Sequence, residues 1–387
     1  MSTNAPTFFL SAAEASGDHH AAGLIHALRR RIPDARFIGV AGPQMAAAGC
    51  EVVVDLAAQA TMTTGPFTRI GYYIRTVRRL KKLIAQLKPD VFIPVDSPAL
   101  NWHLSAAAKA AGSPVVHYVC PQVWAWARWR IKKLRRLTDH VACLLPFEAR
   151  YMQHRGVPAT FVGHPLFDDL PPRPDPLPDL IAAWADESWR VAMLPGSRMG
   201  EIRMHMPALL ATADLIRQRH PNAQCRFLAV DEKAAKAIAL VGEKKGRQLD
   251  IVVGRTSETL GESHFAVAVS GTVTLEVAYY GVPMVIFYHV PKVDWELVGR
   301  WIVHMPHLSL VNILSPNGRP VVPELMPWHG NIARVQDMVV EILEDLGSMV
   351  EARGRLLQTV EPLLPHNGQT AADNAADLVL RVLNNRS

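Results

Sequence analysis

Residues 192–202 read AMLPGSRMGEI, three apolar residues running into Pro195, Gly196, Ser197 and Arg198 and then an acid at Glu201. If a buried strand ends at Leu194, whatever meets its tip must suit a glycine, a hydroxyl and a guanidinium. An anion does, because such a loop, followed by helix-friendly residues from Glu201 to Ile216, offers backbone N–H groups at a positive helix end. A second small-residue loop, SGTVTLE (270–276), follows the apolar run FAVAV and carries Glu276 about a turn and a half into the helix behind it. Two phosphate-type loops, one backed by an acid, suggest a nucleotide diphosphate, with the loops on the phosphates and Glu276 on ribose hydroxyls. Asp96 opens DSPALN (96–101) at the end of VFIPV, with Pro98 stiffening the turn. A strand-tip carboxylate can act as a general base, although caps and turns are the commoner jobs for an Asp. In EASGD (14–18), Ser16, Gly17 and Asp18 read as a turn and N-cap opening a helix, with a plain capped helix and a ligand loop both open.

The elements that must position these loops alternate as parallel sheets covered by helices do. Strands are expected at 7–11, 37–42, 91–95, 115–119, 140–144 and 160–163, then from 190 to the PGSR loop and at 225–230, 249–253, 265–269 and 283–288, with helices such as 74–87 and 104–112 between them. The proline-rich stretch DDLPPRPDPLPD (168–179) can continue neither element and reads as a linker. The fold class is therefore α/β, with two Rossmann-like domains, 1–170 and 171–387, and room for the C-terminal helices to pack back on the first. Parallel sheets facing a central cleft would bind their ligands there, at the carboxyl ends of the strands.

Composition bounds the function. The 387 residues, 49% hydrophobic and 20% charged, fit two packed globular domains, and a net charge of +6 favours anionic partners. Cys50, Cys120, Cys143 and Cys225 are far apart, without a CxxC pair, which argues against a disulfide framework or a thiolate metal site. The opening residues lack a basic n-region and a long apolar run, so an export signal is not expected. The apolar stretch 265–290 is cut by Ser270, Gly271, Glu276, Gly281 and Pro283 into strand, turn, helix and strand rather than a membrane span. No GxGxxG follows the first strand, and there is no GxxxxGK[ST] or HExxH. Adjacent Gly196 and Ser197 make no GxSxG elbow. A dinucleotide dehydrogenase, a P-loop ATPase, a zinc hydrolase and a serine hydrolase all lose support.

EASGD, DSPALN, PQVWAW (121–126), LPFE (145–148), VGHP (162–165), PGSRMGEI (195–202), SGTVTLE, VNIL (311–314) and VVPEL (321–325) fall in order along the chain. This series resembles the lipid-A-disaccharide synthase family, glycosyltransferases of the two-Rossmann-domain GT-B type. The resemblance implies inverting transfer of a diacylated glucosamine from UDP-2,3-diacylglucosamine to the 6-hydroxyl of 2,3-diacylglucosamine 1-phosphate, giving the lipid A disaccharide 1-phosphate and UDP. By resemblance Gly196, Ser197, Arg198, Glu201, Ser270, Gly271, Thr272, Thr274, Glu276, Asn312 and Glu324 would line the nucleotide-sugar side. Glu14, Ser16, Gly17, Asp18, Asn101, Gln122 and Trp124 would line the acceptor side. Such transfer needs a base for the acceptor hydroxyl and a counter-charge for departing UDP, for which Asp96 and Arg198 are the candidates. With Arg198 and the helix starts at 197–202 and 271–276 stabilising that charge, neither a metal nor another cofactor is called for. The alternatives are another UDP-sugar enzyme of the same fold, a UDP-N-acetylglucosamine 2-epimerase or a transferase with a different lipid acceptor, and a non-catalytic nucleotide or nucleic-acid binder.

Departures from the family's usual pattern cluster on the acceptor half: Ala13 for Gly, Thr64 and Arg69 within 62–70, Ala127 for Arg, and, further on, Pro327 for Gln. They bear on the acceptor and its acyl chains. Two basic runs, RTVRRLKK (75–82) and RWRIKKLRR (128–136), follow either of two readings. They are solvated helix faces, or they form an interfacial patch with Trp124 and Trp126 at the headgroup level of an anionic membrane. The expectation is a cytoplasmic protein peripheral to the inner face of the cytoplasmic membrane, without nucleic acid as partner and with a homo-oligomer left open.

Overall fold

The computed structural model describes residues 5–55, 66–125, 128–299, 305–316, 318–365 and 368–385. The chain forms two compact units, one holding the residues up to Asp168 and those from Leu363 onward, the other Asp169–Pro362.

The first unit is built on β1 (Thr7–Ala12), β2 (Arg36–Val40), β3 (Glu51–Val54), β4 (Val91–Val95), β5 (Val116–Tyr118), β6 (His140–Cys143) and β7 (Ala159–Phe161), ordered β3-β2-β1-β4-β5-β6-β7. All pairs are parallel, Leu10 of β1 lying opposite Gly39 of β2 and Ile93 of β4. Alternate side chains of the central strands serve opposite faces, so both faces must be apolar and covered. Phe8, Leu10 and Ile93 join the core made with helices Ala15–Arg31 and Ala371–Asn384, while Phe9 and Phe92 join the one made with Pro66–Leu87 and Pro98–Ala110. The last helix is tied down by Asp168, which accepts from the Ala371 and Ala372 N–H groups at 2.9 and 3.3 Å, and by ion pairs of Arg30 and Arg31 with Asp373.

The second unit holds β8 (Arg190–Leu194), β9 (Gln224–Ala229), β10 (Asp250–Val253), β11 (Phe265–Val269), β12 (Met284–His289) and β13 (Glu324–Trp328), ordered β10-β9-β8-β11-β12-β13 and again parallel. Trp189, Met193, Phe227 and Phe265 centre one core with the helix Met199–Arg219. The stretch 265–290 is strand, helix (Val273–Tyr279) and strand, and among the described residues no helix is long and apolar enough to cross a membrane.

Two strands differ from the sequence reading, β3 and β13, which it leaves unassigned. Both are edge strands, paired on one side, so neither carries the continuous apolar run of a central strand. β13 also contains Pro327, tolerated because it lies at an edge where the register with β12 shifts.

In each sheet the strand order reverses once, between β1 and β4 and between β8 and β11. Loops leaving the carboxyl ends of strands at such a point splay apart and leave a crevice for ligands. EASGD and DSPALN follow β1 and β4; PGSR and SGT follow β8 and β11.

Candidate active site

In the first unit Asp96 and Ser97 stand at the tip of β4 with φ of +47° and +42°, two successive non-glycine residues in the left-handed region. Each is costly, by roughly 1–2 kcal/mol, so the surroundings must hold them. Asn101 does so from the first turn of the helix Pro98–Ala110. Its buried Nδ2 donates to the Asp96 carbonyl at 2.7 Å and to those of Val95 and Ser11 at 3.3 Å, tying the loop to the ends of β4 and β1. The Asp96 carboxyl is half-buried. Burial raises its pKa above the ordinary aspartate value, against the Ser97 N–H bond that lowers it, and the negative charge of Glu14 adds to the rise. Glu14 is the exposed N-cap of the helix Ala15–Arg31, and Ser16 is exposed beside it. Gly17 is buried, where a Cβ would lie 3.4 Å from that of Ala12.

Other acceptor-side candidates have their polar atoms engaged within the protein. Asp18 is buried, and its carboxylate accepts from the N–H groups of Gly42, Gln44 and Met45 at 2.8, 2.9 and 3.1 Å, capping the helix Pro43–Ala47. Trp124 is buried too, which removes it from any headgroup-level surface. Its indole N–H donates to Glu148 Oε1 at 2.9 Å, and Glu148 Oε2 accepts from the Leu144 and Leu145 N–H groups. Gln122 is exposed, whereas Thr64, Trp126 and Ala127 lie outside the described residues, as does the side chain of Arg69.

In the second unit Gly196 has φ of +97°, and a Cβ there would come 2.9 Å from Glu201 Oε2. Glycine lets the loop close over the start of the helix Met199–Arg219. Arg198 is its N-cap and is 76% exposed, its Nη1 donating to Glu201 Oε1 at 2.9 Å and its N–H to Oε2 at 3.3 Å. Glu201 thus orients Arg198, and Ser197 stays exposed at the tip. Beyond β11, Gly271 and Thr272 are exposed and Ser270 is half-buried, its N–H bonded to the Phe287 carbonyl. Thr274 is buried and turns its hydroxyl back onto the Gly271 carbonyl at 2.8 Å. Glu276 is half-buried and takes a 2.7 Å hydrogen bond from the Ser257 hydroxyl. Burial raises its pKa and that bond works against the rise.

Asn312 and Glu324 form one internal network. Asn312 Oδ1 accepts from the Val321 and Val322 N–H groups, and its Nδ2 donates to Glu324 Oε2 at 2.9 Å. Glu324 also accepts from the Leu308 and Ser309 N–H groups. The pair shapes the approach to β13. Among the described residues one trio could offer three ligand atoms to a metal ion, the buried Cys120, Cys143 and Glu148, and both Glu148 oxygens already accept hydrogen bonds.

The lipid-A-disaccharide synthetase family model matches residues 8–373, from β1 into the last helix. The chain belongs to this family. A family relative, the lipid-A-disaccharide synthase of Myxococcus xanthus strain DK1622, is 35% identical over 395 residues, covering 98% of each chain. Among solved structures, the chain is similar to S. aureus MnaA in a co-structure with UDP, with a TM-score of 0.59 at 11% identity, covering 97% of this chain and 95% of that one. It is also similar to a UDP-GlcNAc 2-epimerase from Neisseria meningitidis bound to UDP-GlcNAc, with a TM-score of 0.58 at 10% identity and coverages of 98% and 99%. At these identities the likeness is one of fold, the GT-B class built on two parallel sheets covered by helices.

Family motifs do not include everything near the loops. Ser257 has no signal of its own, being a lone serine in the short helix Thr256–Glu262. Tyr288 and His289 end β12, next to β11 in the sheet, and position at a carboxyl strand end is the signal that would have found them. His205, on the helix Met199–Arg219, bridges that helix to His289.

Proposed function

We propose that this UDP-sugar-dependent transferase moves a diacylated glucosamine from UDP-2,3-diacylglucosamine to the 6-hydroxyl of 2,3-diacylglucosamine 1-phosphate with inversion. The products are the lipid A disaccharide 1-phosphate and UDP. One observation carries the reading: the family match runs nearly the whole chain, so it takes in both sets of strand-tip loops. The first unit supplies acceptor binding and the base, and the second binds the UDP-sugar.

Asp96 takes the proton of the acceptor hydroxyl as that oxygen bonds to the anomeric carbon. Burial and the Glu14 charge make Asp96 a stronger base than an exposed aspartate, and the clamped loop holds its aim. As the anomeric C–O bond to UDP breaks, negative charge grows on the diphosphate, and Arg198 neutralises it from the exposed loop end. Arg198 arrives oriented by Glu201. Glu276 Oε1 is held by Ser257, and its second oxygen accepts from ribose hydroxyls. Asp18, Asn101, Trp124, Glu201, Thr274, Asn312 and Glu324 position the loops rather than touch the sugars.

The substrates carry acyl chains, which suits a protein resting on the inner face of the cytoplasmic membrane. Arg75, Arg78, Arg79, Lys81 and Lys82 are exposed on the helix Pro66–Leu87, and Lys132, Lys133, Arg135 and Arg136 on Ile131–Leu137. Trp129, 67% exposed, supplies the interfacial aromatic that Trp124 does not.

The test incubates the pure protein with both lipids and weighs the product. Disaccharide 1-phosphate forming, with UDP released only when the acceptor is present, is the expected result. UDP release or donor epimerisation without acceptor would favour the epimerase reading that the shared fold supports. Asp96→Asn should lose ~10²–10⁴-fold in transfer with UDP binding retained.

A further inference from the structure

We infer that His205 is a positioning residue for donor binding, a tie that fixes the Arg198 loop to the carboxyl end of β12. The inference rests on the reading of that loop as the diphosphate site. His205 lies in the second turn of the helix Met199–Arg219 and is buried. Its Nδ1 is 2.7 Å from the Glu201 carbonyl, which can only accept, so Nδ1 carries the hydrogen. Its Nε2 is 3.0 Å from the His289 backbone nitrogen, which donates, so Nε2 is bare. Both bonds together admit one form, the neutral ring protonated at Nδ1.

The ring is held in place from three sides. Phe287 meets it edge-on at 5.6 Å, Tyr288 lies 5.2 Å away, and Trp328 of β13 stacks at 6.3 Å. The titratable groups around it are Glu201 from its own helix and His289 and Tyr288 from β12, with Arg198 joined through Glu201. Helix Ile332–Leu343 meets the same helix further on, where Gln336 bonds to the Ala211 carbonyl. Burial lowers the His205 pKa, against the bond to the Glu201 carbonyl that raises it, so the neutral form persists to more acid pH than in a free histidine.

The chain of bonds runs from β12 to the substrate-facing cation. The His289 N–H fixes the ring, the ring fixes the Glu201 backbone, and the Glu201 carboxylate fixes the Arg198 guanidinium and N–H. A ring that turned or took a second proton would set an N–H against the His289 N–H and release the first turn of the helix.

The experiment measures UDP affinity, donor KM and acceptor KM for the parent, His205→Leu, His205→Asn and His205→Gln. His205→Leu should weaken UDP binding and raise donor KM roughly tenfold, the scale of a lost buried hydrogen bond, with acceptor KM unchanged. An Asn amide reaches the place of Nδ1 and keeps the Glu201 bond, whereas a Gln reaches only the place of Nε2. Each of these amides holds one end of the tie and drops the other, so neither His205→Asn nor His205→Gln should restore the parent affinity. Parent UDP binding should also fall with acid, at a pH lower than that at which a free histidine charges because burial lowers the His205 pKa, and the Asn variant should lose that dependence. Should the Leu variant fail to fold, the Asn and Gln comparison and the pH profile decide the matter. Parent-like UDP affinity in the Asn or the Gln variant, or donor and acceptor KM rising together, overturns the inference. A parent protein that binds no UDP overturns the diphosphate reading instead.

Discussion

Asn101→Ala tests whether the strained loop at Asp96 is maintained for chemistry. The Asn101 amide has two hydrogens shared among three buried carbonyls, at 2.7, 3.3 and 3.3 Å. Removing it leaves them under-satisfied, at a cost of about 1–3 kcal/mol. The left-handed residues at φ +47° and +42° then have less to hold them, and relaxation returns part of their roughly 1–2 kcal/mol each. The net loss of stability should be about 1–2 kcal/mol, small enough to leave a folded protein. Turnover should suffer more, because a shift of about 1 Å in a reacting group can cost ~10²-fold. The assay is thermal unfolding alongside initial rates per folded molecule at saturating donor and acceptor, with UDP affinity as the internal control. Ser97→Gly is the counterpart. Glycine takes a positive φ without the Cβ penalty, so this variant should gain about 1 kcal/mol of stability and keep its activity. A folded Asn101→Ala protein with the parent rate would refute the argument, since the strain would then serve nothing at Asp96.

Three further outcomes are expected. Asp18→Ala should lower stability by about 2 kcal/mol, the upper range for a lost cap, and leave acceptor KM unchanged. A raised acceptor KM in a stable protein would instead make Asp18 a ligand. Ser257→Ala should weaken UDP binding by about 1 kcal/mol and Glu276→Ala by about 1–3 kcal/mol, read by calorimetry, with the two effects failing to add because they act on one carboxylate. For Asp373, burial raises the pKa but bonds from Arg31, Thr370 and Arg30 outweigh it and hold it below the ordinary aspartate value. Its contribution is therefore present above about pH 4 and lost as the pH falls below it, so in acid Asp373→Asn and the parent should converge in melting temperature.

The loops were legible in the sequence because a cluster of small residues directly after an apolar run marks the place where a buried strand gives way to a tight turn. The central strands were legible because burial on both faces writes them as continuous apolar stretches. β3 and β13 were not, because an edge strand needs neither. What no single sequence separates is a polar residue that meets a ligand from one that holds the loop. Asp18 and Asp96 both follow a strand in this chain. Three backbone N–H groups 24 to 27 residues further on claim one carboxylate, while Asp96 keeps a half-buried carboxyl beside Glu14. Asn312 and Glu324 likewise belong to a recognisable motif, and their partnership with each other becomes visible only when the chain between them is folded. Ser257 and His205 act through contacts 19 and 84 residues away, which periodicity does not report.

The return of the last helix to the first unit orders events at the ribosome. Residues up to Asp168 emerge first, yet one face of their sheet is closed by Ala371–Asn384, which is made after the whole second unit. The second unit is continuous from Asp169 to Pro362, and the six strands of its sheet are all made before that helix. The later-made half can therefore mature first, while the earlier-made half waits with an apolar face exposed, a natural client for chaperones. A released chain that stops just before residue 371 should accordingly bind UDP but not transfer the sugar.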